Sequence, residues 1–184
     1  MKKTILILAC LVLNIYIYAQ APFGQKQTIS TNTGTHPSVI DSGHLNTDGF
    51  IDIVIGTDIG NTIEWYKNEG NGSFTLQALV TSNLSSVNGL FIADLNSDNK
   101  NDIIASSYND GKLVWFENLG SNSFSTEKII ATGLPSATTV KAGDINNDNT
   151  IDVAVSSKSS NSVSWYSNNG AGNFRNEQKI RNNE

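Results

Sequence analysis

The chain has 184 residues, 38% hydrophobic and only 16% charged, a length that suits about one domain and a charge content well below that of an average soluble one. Its 24 Asn and 15 Gly stand against 3 Pro, which favours short strands and tight turns over long helices, because Asn and Gly tolerate the left-handed backbone that tight turns need. A net charge of −5 and a pI near 4.9 argue against nucleic-acid binding, which calls for a basic stripe, and suit cations better than phosphates.

Residues 1–19 read as a secretory signal peptide: Met1-Lys2-Lys3 is a basic start, Ile5 to Tyr18 is apolar except for Asn14, and Ala19 offers a small residue for cleavage. The run falls short of the roughly 20 apolar residues that span a bilayer, so no membrane span is expected. Lipidation of Cys10 is the weaker alternative, since only Ile5 to Ala9 precede it. Cleavage leaves ten basic against seventeen acidic side chains, a net charge of −7, and removes the sole Cys. The expected product is an exported chain, extracellular, periplasmic or at the cell surface. With no disulfide possible, packing or a metal must hold it together.

Pro22 to Ser30 follows as a lone strand, with Phe23 in the place Phe74 holds later. From there the chain repeats every fifty residues. Trp65, Trp115 and Trp165 are in register, as are Tyr66, Phe116 and Tyr166, then Asn68, Asn118 and Asn168, then Gly70, Gly120 and Gly170, then Phe74, Phe124 and Phe174. A fixed period of this length marks a repeat architecture. In the copy spanning 87–136, strands are expected at Val87–Ala93, Ile103–Ser106, Lys112–Glu117 and Ser123–Ala131. Turn signals separate them at Asn109-Asp110-Gly111 and Asn118-Leu119-Gly120. The second strand is apolar on both faces in every copy, as in Ile103-Ile104-Ala105, so both faces must be covered. Four antiparallel strands per period, stacked radially, describe the blade of a β-propeller. The chain is therefore read as all-β, with three blades at about 37–81, 87–131 and 137–181. The Trp-aromatic pairs on the third strands alternate faces and are read as inter-blade core in preference to sugar platforms.

The polar stretch between the first and second strands carries the chemistry. It reads Asp94-Leu95-Asn96-Ser97-Asp98-Asn99-Lys100-Asn101-Asp102 in the second copy and Asp144-Ile145-Asn146-Asn147-Asp148-Asn149-Thr150-Ile151-Asp152 in the third. Oxygen donors stand at positions 1, 3, 5 and 9, with a residue tolerant of positive φ at position 6. A hard cation such as Ca²⁺ takes about 6–8 oxygens. Asp94, Asn96, Asp98 and Asp102, with the backbone carbonyl of Lys100 and water, would supply them; Asp144, Asn146, Asp148 and Asp152, with the carbonyl of Thr150, would do so again. The competing reading is a set of Asx-rich turns capped by their own side chains. An EF-hand is excluded, since position 12 is Ile55, Ala105 or Val155 where a Glu is needed. The first copy retains Asn46, Asp48 and Asp52 but has His44 at position 1, and imidazole is a poor Ca²⁺ donor. Two Ca²⁺ sites are expected, and a third weakened by His44.

The loops, together with the Trp-aromatic-x-Asn-x-Gly-x-x-x-Phe segments at 65–74, 115–124 and 165–174, resemble the FG-GAP or VCBS repeats of bacterial secreted proteins, distant kin of the integrin α-subunit propeller. The resemblance covers essentially the whole chain after residue 19. It implies calcium-binding propeller blades in which Asp94, Asn96, Asp98, Asp102, Asp144, Asn146, Asp148 and Asp152 match coordinating positions and the metal is structural. No copy has the literal Gly-Ala-Pro of the family's name, and His44 departs from the loop pattern.

Three blades are fewer than the four to eight or so at which propellers close, which leaves an open or partial propeller. Either the chain is a fragment of a longer protein, or copies self-associate to close a ring, or a partner caps it. Two functions follow: a non-catalytic module for extracellular binding or adhesion to a protein or glycan, or the scaffold of a secreted polysaccharide-degrading enzyme. His36 and His44 are the only His, and no nucleophile elbow or zincin motif is present. The expectation is a module that is not an enzyme.

Overall fold

The computed structural model describes residues 26–180; the expected signal peptide lies outside them. Every regular element is a strand, and three four-stranded antiparallel sheets follow one another along the chain. Blade 1 comprises β1 (Pro37–Gly43), β2 (Asp52–Thr57), β3 (Ile63–Asn68) and β4 (Phe74–Leu76). Blade 2 comprises β5 (Val87–Ala93), β6 (Asp102–Ser107), β7 (Lys112–Phe116) and β10 (Lys128–Ala131), with a two-stranded ribbon of β8 (Asn118–Gly120) and β9 (Ser123–Phe124) inserted before its outer strand. Blade 3 comprises β11 (Ala137–Gly143), β12 (Asp152–Ser157), β13 (Ser162–Tyr166) and β14 (Gln178–Ile180). This is an open, partial propeller. Among the described residues no helix is long and apolar enough to cross a membrane.

The sequence places the first three strands of blade 2 within a residue or two. The outer strand of blade 2 differs from the single run expected over 123–131. Gly120, Ser121 and Asn122 all take positive φ, and that tight turn folds Ser123-Phe124 back onto Asn118–Gly120 before the chain reaches Lys128. Residues 26–30 of the expected N-terminal strand form no strand, and residues 22–25 lie outside the described ones.

Two apolar clusters lie between neighbouring blades. The first joins Leu45, Val54, Ile63 and Trp65 of blade 1 to Leu90, Ile103, Ala105 and Phe116 of blade 2. The second joins Leu95, Ile104, Leu113 and Trp115 of blade 2 to Val140, Val153, Val155 and Tyr166 of blade 3. Trp65 and Trp115 thus face the following blade, and Phe116 and Tyr166 the preceding one, as side chains on opposite faces of a strand must. Phe124 completes the first junction, meeting Trp65 edge to face with centroids 6.1 Å apart. The inner strands approach so closely at Gly89 that a Cβ there would collide with the Thr138 carbonyl, to which the Ser106 hydroxyl donates.

Candidate metal centre

Each nine-residue loop joins the innermost strand of its blade to the second. The register explains why position 9 is special: it is the first residue of the second strand, and the third strand ends beside it. Asp52, Asp102 and Asp152 are all fully buried. Asp102 Oδ2 accepts the Leu95 N–H at 3.0 Å and Oδ1 the Asn118 N–H at 2.8 Å. Asp52 binds Leu45 and Asn68 N–H groups in the same way, and Asp152 those of Ile145 and Asn168. A buried carboxylate holding two N–H groups ties the loop entry to the end of the third strand. Burial raises the Asp102 pKa to about 6, the two N–H groups oppose the rise, and the charges of Asp98 and Asp94 add to it. Desolvation raises Asp52 as well.

The Asn that follows the Trp-aromatic pair completes the joint. Asn118 Nδ2 donates to Asn101 O of its own loop and to Leu45 O of the preceding blade, both at 2.9 Å. Asn168 repeats this with Ile151 O at 3.0 Å and Leu95 O at 2.7 Å. Asn68 reaches only Ile51 O, at 3.0 Å. Read from sequence as turn formers, Asn118 and Asn168 prove to clamp blade to blade, while Asn68 holds only its own loop.

Positions 1, 3 and 5 sit above this joint, nearer solvent. In blade 3, Asp144 accepts the N–H groups of Asp148 and Asn149 at 3.0 and 2.9 Å. Asn146 Oδ1 accepts Asp148 N–H at 2.9 Å, and Asp148 accepts the N–H and hydroxyl of Thr150. The Thr150 hydroxyl and the Asn146 amide hold the Asp148 carboxyl below its usual pKa. In blade 2, Asp94 likewise accepts Asp98 and Asn99 N–H groups, and Asn96 Oδ1 accepts Asp98 N–H at 3.3 Å. Burial raises the Asp98 pKa, but the Lys100 ammonium and N–H outweigh it and hold the carboxyl low. Position 6 has positive φ throughout, at Gly49, Asn99 and Asn149.

Blade 1 diverges at position 1. The His44 ring accepts no loop N–H; its Nδ1 lies 3.0 Å from the Phe50 carbonyl, so Nδ1 is the donor. Phe50 stands at position 7, whose carbonyl is a donor expected of a cation loop. Asn46 and Asp48 keep their places, with Asn46 Oδ1 accepting Asp48 N–H at 2.8 Å. Lys67 approaches Asp48 at 3.5 Å, and the N–H of Phe50 holds the Asp48 carboxyl low.

The residue after each Trp-aromatic pair also reaches its loop, which sequence reading missed. Lys67 faces Asp48, Glu117 accepts the Asn96 amide at 3.0 Å, and Ser167 Oγ meets the Asn146 amide at 3.3 Å. A period-fifty alignment of the third-strand ends is the signal that would have found them. As a donor set the two later loops are all oxygen, which suits a hard cation. Among the described residues, no three His, Cys, Asp or Glu side chains converge on one point. The carboxylates are directed to loop N–H groups instead. Beside the loops of blades 1 and 2 lies a cavity of about 330 Å³, lined by His44, Asn46, Lys100, Asn101, Asn118 and Asn122 among others.

The FG-GAP-like repeat model matches residues 44–105 and again 94–155. The chain belongs to the FG-GAP repeat family. Both matches start at position 1 of a loop and run through the second strand of the next blade, so the unit recognised is the loop-and-junction just described. No curated protein matches the sequence. Among solved structures it is similar to a lectin of Agrocybe aegerita, described for its recognition of non-reducing terminal N-acetylglucosamine, with a TM-score of 0.55 and 21% identity over 74% of this chain. This chain covers 36% of that one, about a third of its length. The likeness is one of fold.

Proposed function

We propose that this chain is a non-catalytic, exported glycan-binding module whose blade 2 and blade 3 loops each take a structural Ca²⁺. The observation that carries the binding reading is the inter-blade cavity of about 330 Å³, whose wall includes Asn46, Asn101 and Asn122, with the Asn46 amide nitrogen buried and without a partner among the described residues. Paired donors and acceptors of this kind match sugar hydroxyl and acetamido groups, and the lectin whose fold the chain shares makes that class a reasonable ligand. Asp94, Asn96, Asp98 and Asp102 would hold one ion and Asp144, Asn146, Asp148 and Asp152 the other, with the carbonyls of Lys100 and Thr150. The cation would supply positive charge that offsets carboxylate repulsion and locks the loop onto its junction. In blade 1 the His44 ring occupies the position-7 carbonyl, which supports a loop that folds without a cation. A non-catalytic role is supported by the loop acids, whose oxygens are engaged by backbone N–H groups.

The test is a glycan panel run with and without chelator, beside a turnover assay on labelled polysaccharides. Retention of N-acetylated glycans without turnover is expected, weakened by Asn101→Ala at the cavity wall. Release of labelled sugar would overturn the non-catalytic reading, and a blank panel the glycan reading.

A further inference from the structure

The same four side chains that each blade presents to the next are buried at both junctions and open at the end of blade 3. Leu45, Val54, Ile63 and Trp65 are 0–3% exposed, and so are Leu95, Ile104, Leu113 and Trp115. Their counterparts Ile145 and Val163 are 43% and 42% exposed, and Ala154 and Trp165 are half-buried. At the other end, Ile40 stands where Leu90 and Val140 complete the junctions; those two are 5% and 1% exposed, and Ile40 is 60% exposed. It borders an open apolar cavity of about 280 Å³ with Pro37, Val39 and Ile55.

These two faces are the two halves of one interface that the molecule already builds twice. We infer that the trailing face of blade 3 docks the leading face of blade 1 of a second copy. In that junction Trp165 meets Phe74 of the second copy as Trp65 meets Phe124, and Ile40 of the second copy enters the place that Leu90 and Val140 hold. The contact is head to tail, and two copies give six blades, within the range of about four to eight at which propellers close. Closure buries both open faces at once.

One segment must move. Residues 26–30 correspond by the period to 176–180, so they run where the outer strand of a preceding blade lies. Gly34 N–H fixes the end of that segment to Glu64 Oε1 at 2.9 Å. At the joined face, β14 of one copy replaces residues 26–30 of the other. The inference stands apart from the glycan reading, since it uses none of the cavity residues.

The experiment is sedimentation of the purified chain over a range of concentrations, with Ile40→Asp and Val163→Asp variants. Both positions are exposed, so each variant keeps the wild-type circular dichroism spectrum. The wild type is expected to sediment as a dimer, and each variant alone to dissociate about 1,000-fold more readily, because the ring of two has two junctions and each loses a central apolar contact that is worth about 30-fold. An equimolar mixture of the two variants restores a dimer, because one keeps an intact trailing face and the other an intact leading face. Trp165 emission shifts to the blue on association, a readout that Trp165→Phe removes. A wild type that stays monomeric overturns the inference, as does a mixture that fails to pair, or an Ile40→Asp variant that dimerises alone through two trailing faces.

Discussion

The loops of blades 1 and 2 share one joint but differ in their first residue and in the turn that follows it. In both, a fully buried Asp at position 9 holds two N–H groups, and an Asn amide caps the position-8 carbonyl. Blade 1 has His44 where blade 2 has Asp94, and there Thr47 lacks the positive φ that Ser97 and Asn147 take at the same position of the later loops. The joint therefore depends on position 9 and on the Asn at the end of the third strand, while the positive-φ turn at position 4 goes with a position-1 carboxylate that holds the N–H groups of positions 5 and 6. Position 9 thus serves the joint as well as the proposed cation, whereas positions 1, 3 and 5 shape only the loop above it.

The comparison can be broken at several points. The largest effect is expected from Asp102→Ala, which strands two buried N–H groups in an apolar joint. A loss of about 3 kcal/mol, read by denaturant unfolding, should occur with or without Ca²⁺. Asn118→Ala is expected to cost about 2 kcal/mol, more than Asn68→Ala, because Asn118 clamps two blades and Asn68 holds a single carbonyl. Equal losses for the two would contradict the clamp. Asp94→His gives loop 2 the first residue of loop 1: in chelator it should cost no more than about 1 kcal/mol, because the two N–H contacts it loses lie near solvent, while the Ca²⁺-dependent gain, about 3 kcal/mol at a hundredfold excess over Kd, should fall by roughly half.

A further effect concerns pH. Asp102 has a folded pKa of about 6 against an ordinary 3.8. It binds its proton more tightly when folded, so its contribution is fully present below about pH 4 and is lost as pH rises through 6. In chelator, melting temperature is expected to fall by a few degrees across that window. Asp102→Asn should flatten this slope, and Ca²⁺, which favours the ionised carboxylate, should oppose it.

Much of this was legible in the sequence because the repeat is fixed at fifty residues. The period located the blades, and face alternation assigned Trp65 and Tyr66 to opposite junctions. The β8–β9 ribbon was not legible, since it depends on three consecutive positive-φ residues that propensity reads only as a turn. Nor was the double duty of Asp102, which spacing presents as one more carboxylate of the loop although its burial and two N–H bonds make it the joint's anchor. Lys67, Glu117 and Ser167 escaped notice because they differ in chemistry while occupying one position. What brings them to the loop is antiparallel register, which appears only once the strands are paired.

Two loops are proposed to hold a cation and the third to be weakened by His44. Calorimetric titration of the metal-free chain with Ca²⁺ tests this most directly, comparing wild type with His44→Asp. Two ions per wild-type chain and three per His44→Asp chain are the predicted result. No binding to wild type, or the same stoichiometry in both, would contradict it.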